Sequence, residues 1–103
     1  MFLRVSEPGK PAFQLRKGEE GLSVFDTEGV EPLLTADEIL AAFRPGSQAV
    51  SRSREEIEAV ELIIVPMAGS TSLPPRLRDA HVEIRRRPTM TRNEFKNALQ
   101  ELE

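Results

Sequence analysis

The run Gly21-Leu22-Ser23-Val24-Phe25-Asp26 constrains the fold most. A polar turn, Arg16-Lys17-Gly18-Glu19-Glu20, precedes it, and Gly29 and Pro32 close it, leaving room for a strand but not for a helix. On a strand, Leu22 and Val24 face one way and Ser23 and Phe25 the other. A hydroxyl inside an apolar run needs a partner, and a neighbouring carbonyl, a carboxylate or a ligand would each serve.

The rest of the chain is punctuated on the same short scale. Phe2-Leu3-Arg4-Val5 reads as an N-terminal strand ended by Pro8, Gly9 and Pro11, with Phe2 and Arg4 on one face and Leu3 and Val5 on the other. Ala12 to Arg16 forms either a second strand or an extended approach to the turn before Gly21. Three capping boxes announce helices: Thr35 with Glu38, Ser53 with Glu56, and Thr91 with Glu94. The first helix is expected to run through Phe43, with Arg44-Pro45-Gly46 ending it and Ile39, Leu40 and Phe43 buried. The second follows a weak strand at Ala49-Val50 and buries Ile57 and Val60. The third carries an apolar stripe of Phe95, Ala98, Leu99 and Leu102.

Leu62-Ile63-Ile64-Val65, apolar on both faces and closed by Pro66, predicts a strand at the centre of a sheet. The segment from Ala68 to Pro75 reads as a surface loop that leads into no helix start. His81 to Arg85 alternates, with Val82 and Ile84 on one face and His81, Glu83 and Arg85 on the other. The expected fold is a single α+β domain over residues 1–103, with small twisted antiparallel or mixed sheets and three short helices.

Composition removes several functions. With 103 residues, no cysteine and one histidine, the chain offers neither a disulfide framework nor a structural zinc site, and no metal is expected. No glycine-rich phosphate fingerprint occurs, which removes Rossmann and P-loop readings. No apolar run is long enough to cross a bilayer and no cleavable signal opens the chain, so a soluble, cytoplasmic protein without a membrane partner is expected.

The net charge of −3 falls entirely in residues 1–51, which hold five basic and eight acidic side chains, against nine of each in residues 52–103. Residues 76–92 hold six arginines and two acids. That segment reads as a solvated strand end, with an anion or nucleic-acid patch as the alternative. Nucleic acid is disfavoured by the acidic total and by the absence of tyrosine and tryptophan for base stacking.

Taken together, these motifs have a resemblance. Gly21-Leu22-Ser23-Val24-Phe25-Asp26-Thr27-Glu28-Gly29-Val30 resembles the Gly-Thr-Ser-Val-Phe-Asp-x-x-Gly-Val run of a bacterial type VI secretion effector toxin family whose fold is like that of ADP-ribosyltransferases. Pro74-Pro75-x-Leu77, His81-x-x-Ile84, Met90 and the amphipathic helix after it follow in the same order, and Phe2-Leu3-Arg4 is similar to that family's first strand. Leu22 stands where the family has threonine.

The resemblance implies an NAD-binding cleft between two small sheets. It carries Arg4 onto an arginine that orients the dinucleotide and Ser23 onto a serine that supports the site, with a phenylalanine such as Phe25 left to contact nicotinamide. In ADP-ribosyltransferases a glutamate holds the ribose hydroxyl and stabilises charge that develops as nicotinamide leaves. The family member compared has no glutamate at position 83, so Glu83 is a candidate from this sequence alone, beside His81; a surface salt bridge to arginine is its other reading.

Two function classes follow. One is an NAD-dependent, toxin-type ADP-ribosyltransferase-like protein using Arg4, Ser23 and Glu83, with Phe25 and His81 at the cofactor. It expects Arg4→Ala and Ser23→Ala to remove a ligand-dependent effect without unfolding. The other is a non-catalytic domain that binds a protein partner, an immunity protein or a target, through the arginine-rich 76–92 region, with capture expected to weaken on charge reversal at Arg85–Arg87.

Overall fold

In the computed structural model, which describes residues 1–103, the strands are β1 (Phe2–Ser6), β2 (Leu22–Asp26), β3 (Gln48–Arg52), β4 (Ile63–Pro66) and β5 (His81–Arg85). The helices are α1 (Ala36–Leu40), α2 (Arg54–Ala59), α3 (Pro75–Ala80) and α4 (Arg92–Gln100). The strands form one antiparallel sheet in the order β3-β1-β2-β5-β4. The fold is α+β as expected, with one sheet where the resemblance implied two.

Alternation assigns the faces. Phe2, Leu22, Val24, Val82 and Ile84 point into the larger core, which α2 closes with Ile57 and α4 with Phe95, Ala98 and Leu99, followed by Leu102. Leu3 and Phe25 point the other way, into a smaller core closed by Ile39 of α1 and by Leu77 and Ala80 of α3. β2 is the central strand, and its Leu22 and Val24 are fully buried.

Four expectations are corrected. Leu62–Val65 does not lie at the centre: β4 is an edge strand, with Ile63, Ile64 and Val65 only half-buried. Ile64 packs against the larger core while Ile63 and Val65 lie opposite Arg85 and Glu83, so the run is apolar on both faces without being enclosed. A length of four residues and the terminal Pro66 blunt this edge against further pairing.

A fourth helix, α3, starts directly at Pro75. Its N-cap is Pro74, which offers no side-chain acceptor, but proline at the first helical position is pre-set for the helix and lacks an N–H to satisfy. α1 ends at Leu40, short of Phe43. The Thr35 hydroxyl accepts from the Glu38 N–H at 3.1 Å, but the Glu38 carboxylate turns away to Arg76, at 2.6 and 3.2 Å, so the box is only half closed. The boxes at Ser53 and Thr91 close fully.

Of the two readings open for Ala12 to Arg16, the strand is not formed and the segment is an irregular approach to the turn before Gly21. Ala12, Phe13 and Leu15 are buried in the larger core, and the Glu103 carboxylate accepts from the Ala12 and Phe13 N–H groups at 2.9 and 2.8 Å. The backbone donors that a sheet would satisfy are satisfied here by the chain's last side chain.

Candidate functional site

The two faces of the sheet are unequally covered. α1 and α3 hold five and six residues and close only the Leu3–Phe25 end of their face. Ser23, Phe25, His81, Glu83 and Arg85 all project from this face, Ser23 directly opposite Glu83 and Phe25 opposite His81. A groove follows from this partial cover.

One lobe of the groove has a volume of about 290 Å³. Ser23, Phe25 and His81 line it, with Phe43, Ser70 and Ser72 around its mouth. The Phe25 ring is 4% exposed and stands edge-on to Phe43, centroids 6.0 Å apart, and to His81, 5.8 Å apart. Phe25, expected at a ligand ring, lines the lobe but exposes little of its surface. It backs Phe43 and His81, which are half-buried and present the accessible ring surface. His81 is fixed from the other side by Nδ1 at 2.9 Å from the Met67 carbonyl.

Ser23 is half-buried, and its hydroxyl is not an orphaned buried group but opens on the lobe. Its carbonyl is held by Arg4, whose Nη1 donates at 2.9 Å while Nε donates to the Ala12 carbonyl at 2.9 Å. β1 and β2 pair only at Phe2–Asp26 and Leu3–Phe25, so Arg4 bridges the place where the two strands part. Burial pushes its pKa down, opposed by Glu19, with Arg16 adding repulsion.

Glu83 pairs with Ser23 in the register but lines neither lobe. Its carboxylate accepts from Arg85 Nε at 2.9 Å and lies 2.8 Å from Arg85 Nη2, which also meets Met67 Sδ at 3.2 Å. The carboxylate reaches across Gly21, where a Cβ would come within 2.6 Å of Glu83 Oε1. Glycine at the strand's start makes room for this acid.

A second lobe of about 580 Å³ adjoins the first, and Arg4, Val5 and Phe43 line both. Lys10, Arg16 and Arg44 line it, with Glu7 its one carboxylate. Sequence reasoning missed Phe43, read as core, and Arg44, read as a helix stop. Neither carries a local signal, because both gain their position from α1 ending early.

Five of the six arginines in the 76–92 segment are engaged within the chain, Arg78 being the exception. Arg76 pairs with Glu38 and donates to the Glu31 and Pro32 carbonyls; Arg85 binds Glu83. Arg86 donates to the Met90 carbonyl, Arg87 to Glu61 and Arg92 to Arg16 and Glu19. The expected solvated strand end is a set of backbone staples. No group of three or more histidine, cysteine, aspartate or glutamate side chains is placed to hold a metal ion, and no helix is long and apolar enough to cross a membrane. The chain matches no protein-family model, and no curated protein or solved structure shows significant similarity to it.

Proposed function

We propose that the chain is a small ADP-ribosyltransferase-like domain that binds NAD in the two-lobed groove. The observation that carries this reading is a ring-lined lobe bearing Ser23 that continues into a basic one, with Glu83 at the register position opposite Ser23 on the neighbouring strand. The fit is one of chemistry and size. Phe43 and His81 offer surfaces for a planar base, Ser23, Ser70 and Ser72 offer hydroxyls for ribose, and the lobe volumes reach the range of small-molecule sites, about 300–1,000 Å³.

When bound, NAD supplies an ADP-ribosyl group and a nicotinamide that can leave. Ser23 orients the ribose by a hydrogen bond, and Arg4 acts as a positioning residue that fixes the Ser23 backbone. Glu83, paired with Ser23 in the strand register, is the carboxylate assigned to stabilise positive charge on the sugar, and its side chain has to turn from Arg85 toward the lobe to do so. Arg85 holds one oxygen of that carboxylate, Oε1, and leaves Oε2 for a ribose hydroxyl.

The test is an NMR titration of labelled protein with NAD to millimolar concentration, followed by an assay for nicotinamide release. Shifts should cluster on Arg4, Ser23–Phe25 and His81–Arg85. Glu83→Gln should keep the shifts and lose the release. An unchanged spectrum would refute NAD binding, and release that survives Glu83→Gln would refute the role of the carboxylate.

A further inference from the structure

Four of the five cations in residues 1–51, the half that carries the chain's whole acidic excess, line one cavity: Arg4, Lys10, Arg16 and Arg44. Most arginines elsewhere are occupied. They bind backbone carbonyls or carboxylates, and Arg54 lies over the Phe2 ring at 5.1 Å. Arg16 and Arg44 belong to none of the four ion pairs, and both side chains are exposed. Arg4 spends Nε and Nη1 on carbonyls and keeps Nη2.

The cavity's single carboxylate, Glu7, sits among these charges. It holds Lys10 Nζ at 2.9 Å, and that hydrogen bond, then the charges of Lys10, Arg16 and Arg44, keep its carboxyl below the usual carboxylate range. Glu7 and Lys10 are the corners of a turn in which the Lys10 N–H donates to the Glu7 carbonyl at 3.2 Å and Gly9 takes a positive φ of 78°. Pro8 then Gly9 is the sequence of a type II turn, a rigid mount that holds the two side chains side by side. Glu7 itself is exposed and free to change rotamer.

We propose that the larger lobe is a diphosphate-binding site in which Glu7 is an internal competitor. An incoming diphosphate takes the place of the carboxylate, gathers Lys10, Arg16 and Arg44, and meets the remaining Nη2 of Arg4; Glu7 swings out to solvent. Its net charge, four cations against one acid, matches a group of two or more negative charges and leaves one carboxylate insufficient. The inference rests on the nucleotide reading for the natural ligand, because the lobe joins the ring-lined one at Arg4, Val5 and Phe43.

The probe is inorganic pyrophosphate, titrated into the full chain by calorimetry and by NMR of the arginine side-chain Nε–H groups. Binding should shift Arg16 and Arg44 and weaken as salt rises from about 50 to about 300 mM. Arg16→Gln with Arg44→Gln should weaken it about tenfold or more, and Glu7→Gln should tighten it about threefold or more. Pyrophosphate that shifts neither arginine, or a Glu7→Gln variant that binds no more tightly, would overturn the proposal. A parallel NAD titration separates the two readings. NAD shifts at Ser23 and His81 without pyrophosphate binding would sink this site alone, whereas pyrophosphate bound at Arg16 and Arg44 with Ser23 and His81 indifferent to NAD would sink the NAD reading alone.

Discussion

Replacing Arg4 is the perturbation whose outcome the fold dictates most directly. Its guanidinium donates two hydrogen bonds of 2.9 Å, one to Ala12 and one to Ser23, across the gap where β1 leaves β2. A hydrogen bond from a charged donor contributes about 1.5–3 kcal/mol. Arg4 is half-buried, so water recovers part of the loss at each carbonyl, and the lower end of that range applies to both bonds. Arg4→Met, which keeps the apolar stem, should therefore lower stability by about 3 kcal/mol. With a urea m-value of about 1 kcal/mol/M for a chain this small, the midpoint falls by about 3 M. Arg4→Lys keeps the charge but not the planar fork, and should recover about half of the loss. The assay is urea unfolding followed by circular dichroism. An Arg4→Met variant within about 0.5 kcal/mol of the parent would show that the guanidinium does not hold the strands together. A loss of that size would mix unfolding into Arg4→Ala as a test of ligand binding. Ser23→Ala, which breaks no hydrogen bond of the fold, is the better one.

Two further perturbations read the helices. Glu61 follows α2 with φ 64°, a left-handed conformation that costs a side-chain-bearing residue about 1–2 kcal/mol; Glu61→Gly should raise the thermal midpoint by about 4–8 °C per kcal/mol gained, and no rise in a melting curve would count against the strain. The carboxyls of Glu38, Glu56 and Glu94 lie below their usual range, because of the Arg76 hydrogen bond for Glu38 and the backbone N–H of Ser53 and Thr91 for the other two. Depressed values mean a contribution fully present above the unfolded pKa and lost as pH falls through the folded one, so the midpoint should hold flat down to about pH 5 and decline below about pH 4. Thr91→Ala should lower the neutral-pH stability by about 1 kcal/mol, and Glu94→Gln, which removes the titrating group, should flatten that acid decline; equal acid slopes in Glu94→Gln and the parent would refute the linkage.

How much of this was legible in the sequence divides by range. Elements fixed within four residues were readable: the boxes at Ser53 and Thr91 and the alternation of Leu22–Asp26 and His81–Arg85 appear as spacing and recur as structure. Glu38 shows where this stops. Its place three residues after Thr35 announces a closed box, yet the carboxylate is taken by Arg76, thirty-eight residues away, and nothing local forewarns of it. β4 fails for a related reason, since three apolar residues in a row are equally compatible with two enclosed faces and with an edge that uses one face for the core and the other for the stems of Glu83 and Arg85. The groove was half legible. Ser23, Phe25, His81 and Glu83 come together through strand periodicity and a single pairing register, whereas Lys10, Arg16 and Arg44 meet only because three separate turns converge.

Charge density along the chain proved a poor guide to charge that is free to act, and the physical reason is general. Elements of four to nine residues leave many turn carbonyls without helix or sheet partners, and a buried or half-buried carbonyl left unpaired is costly. Guanidinium groups, with five donors each, meet that need without a disulfide. Arginines therefore go where carbonyls are in excess: Arg76 to Glu31 and Pro32, Arg87 to Glu61, Arg92 to Arg16 and Glu19. The dense basic segment at 76–92 is largely consumed by this stitching, while the sparse cations of the acidic half remain available together in one cavity. An anion site in a chain this small needs guanidinium groups that its own backbone has left unclaimed, and of those Arg16, Arg44 and one edge of Arg4 share a single cavity.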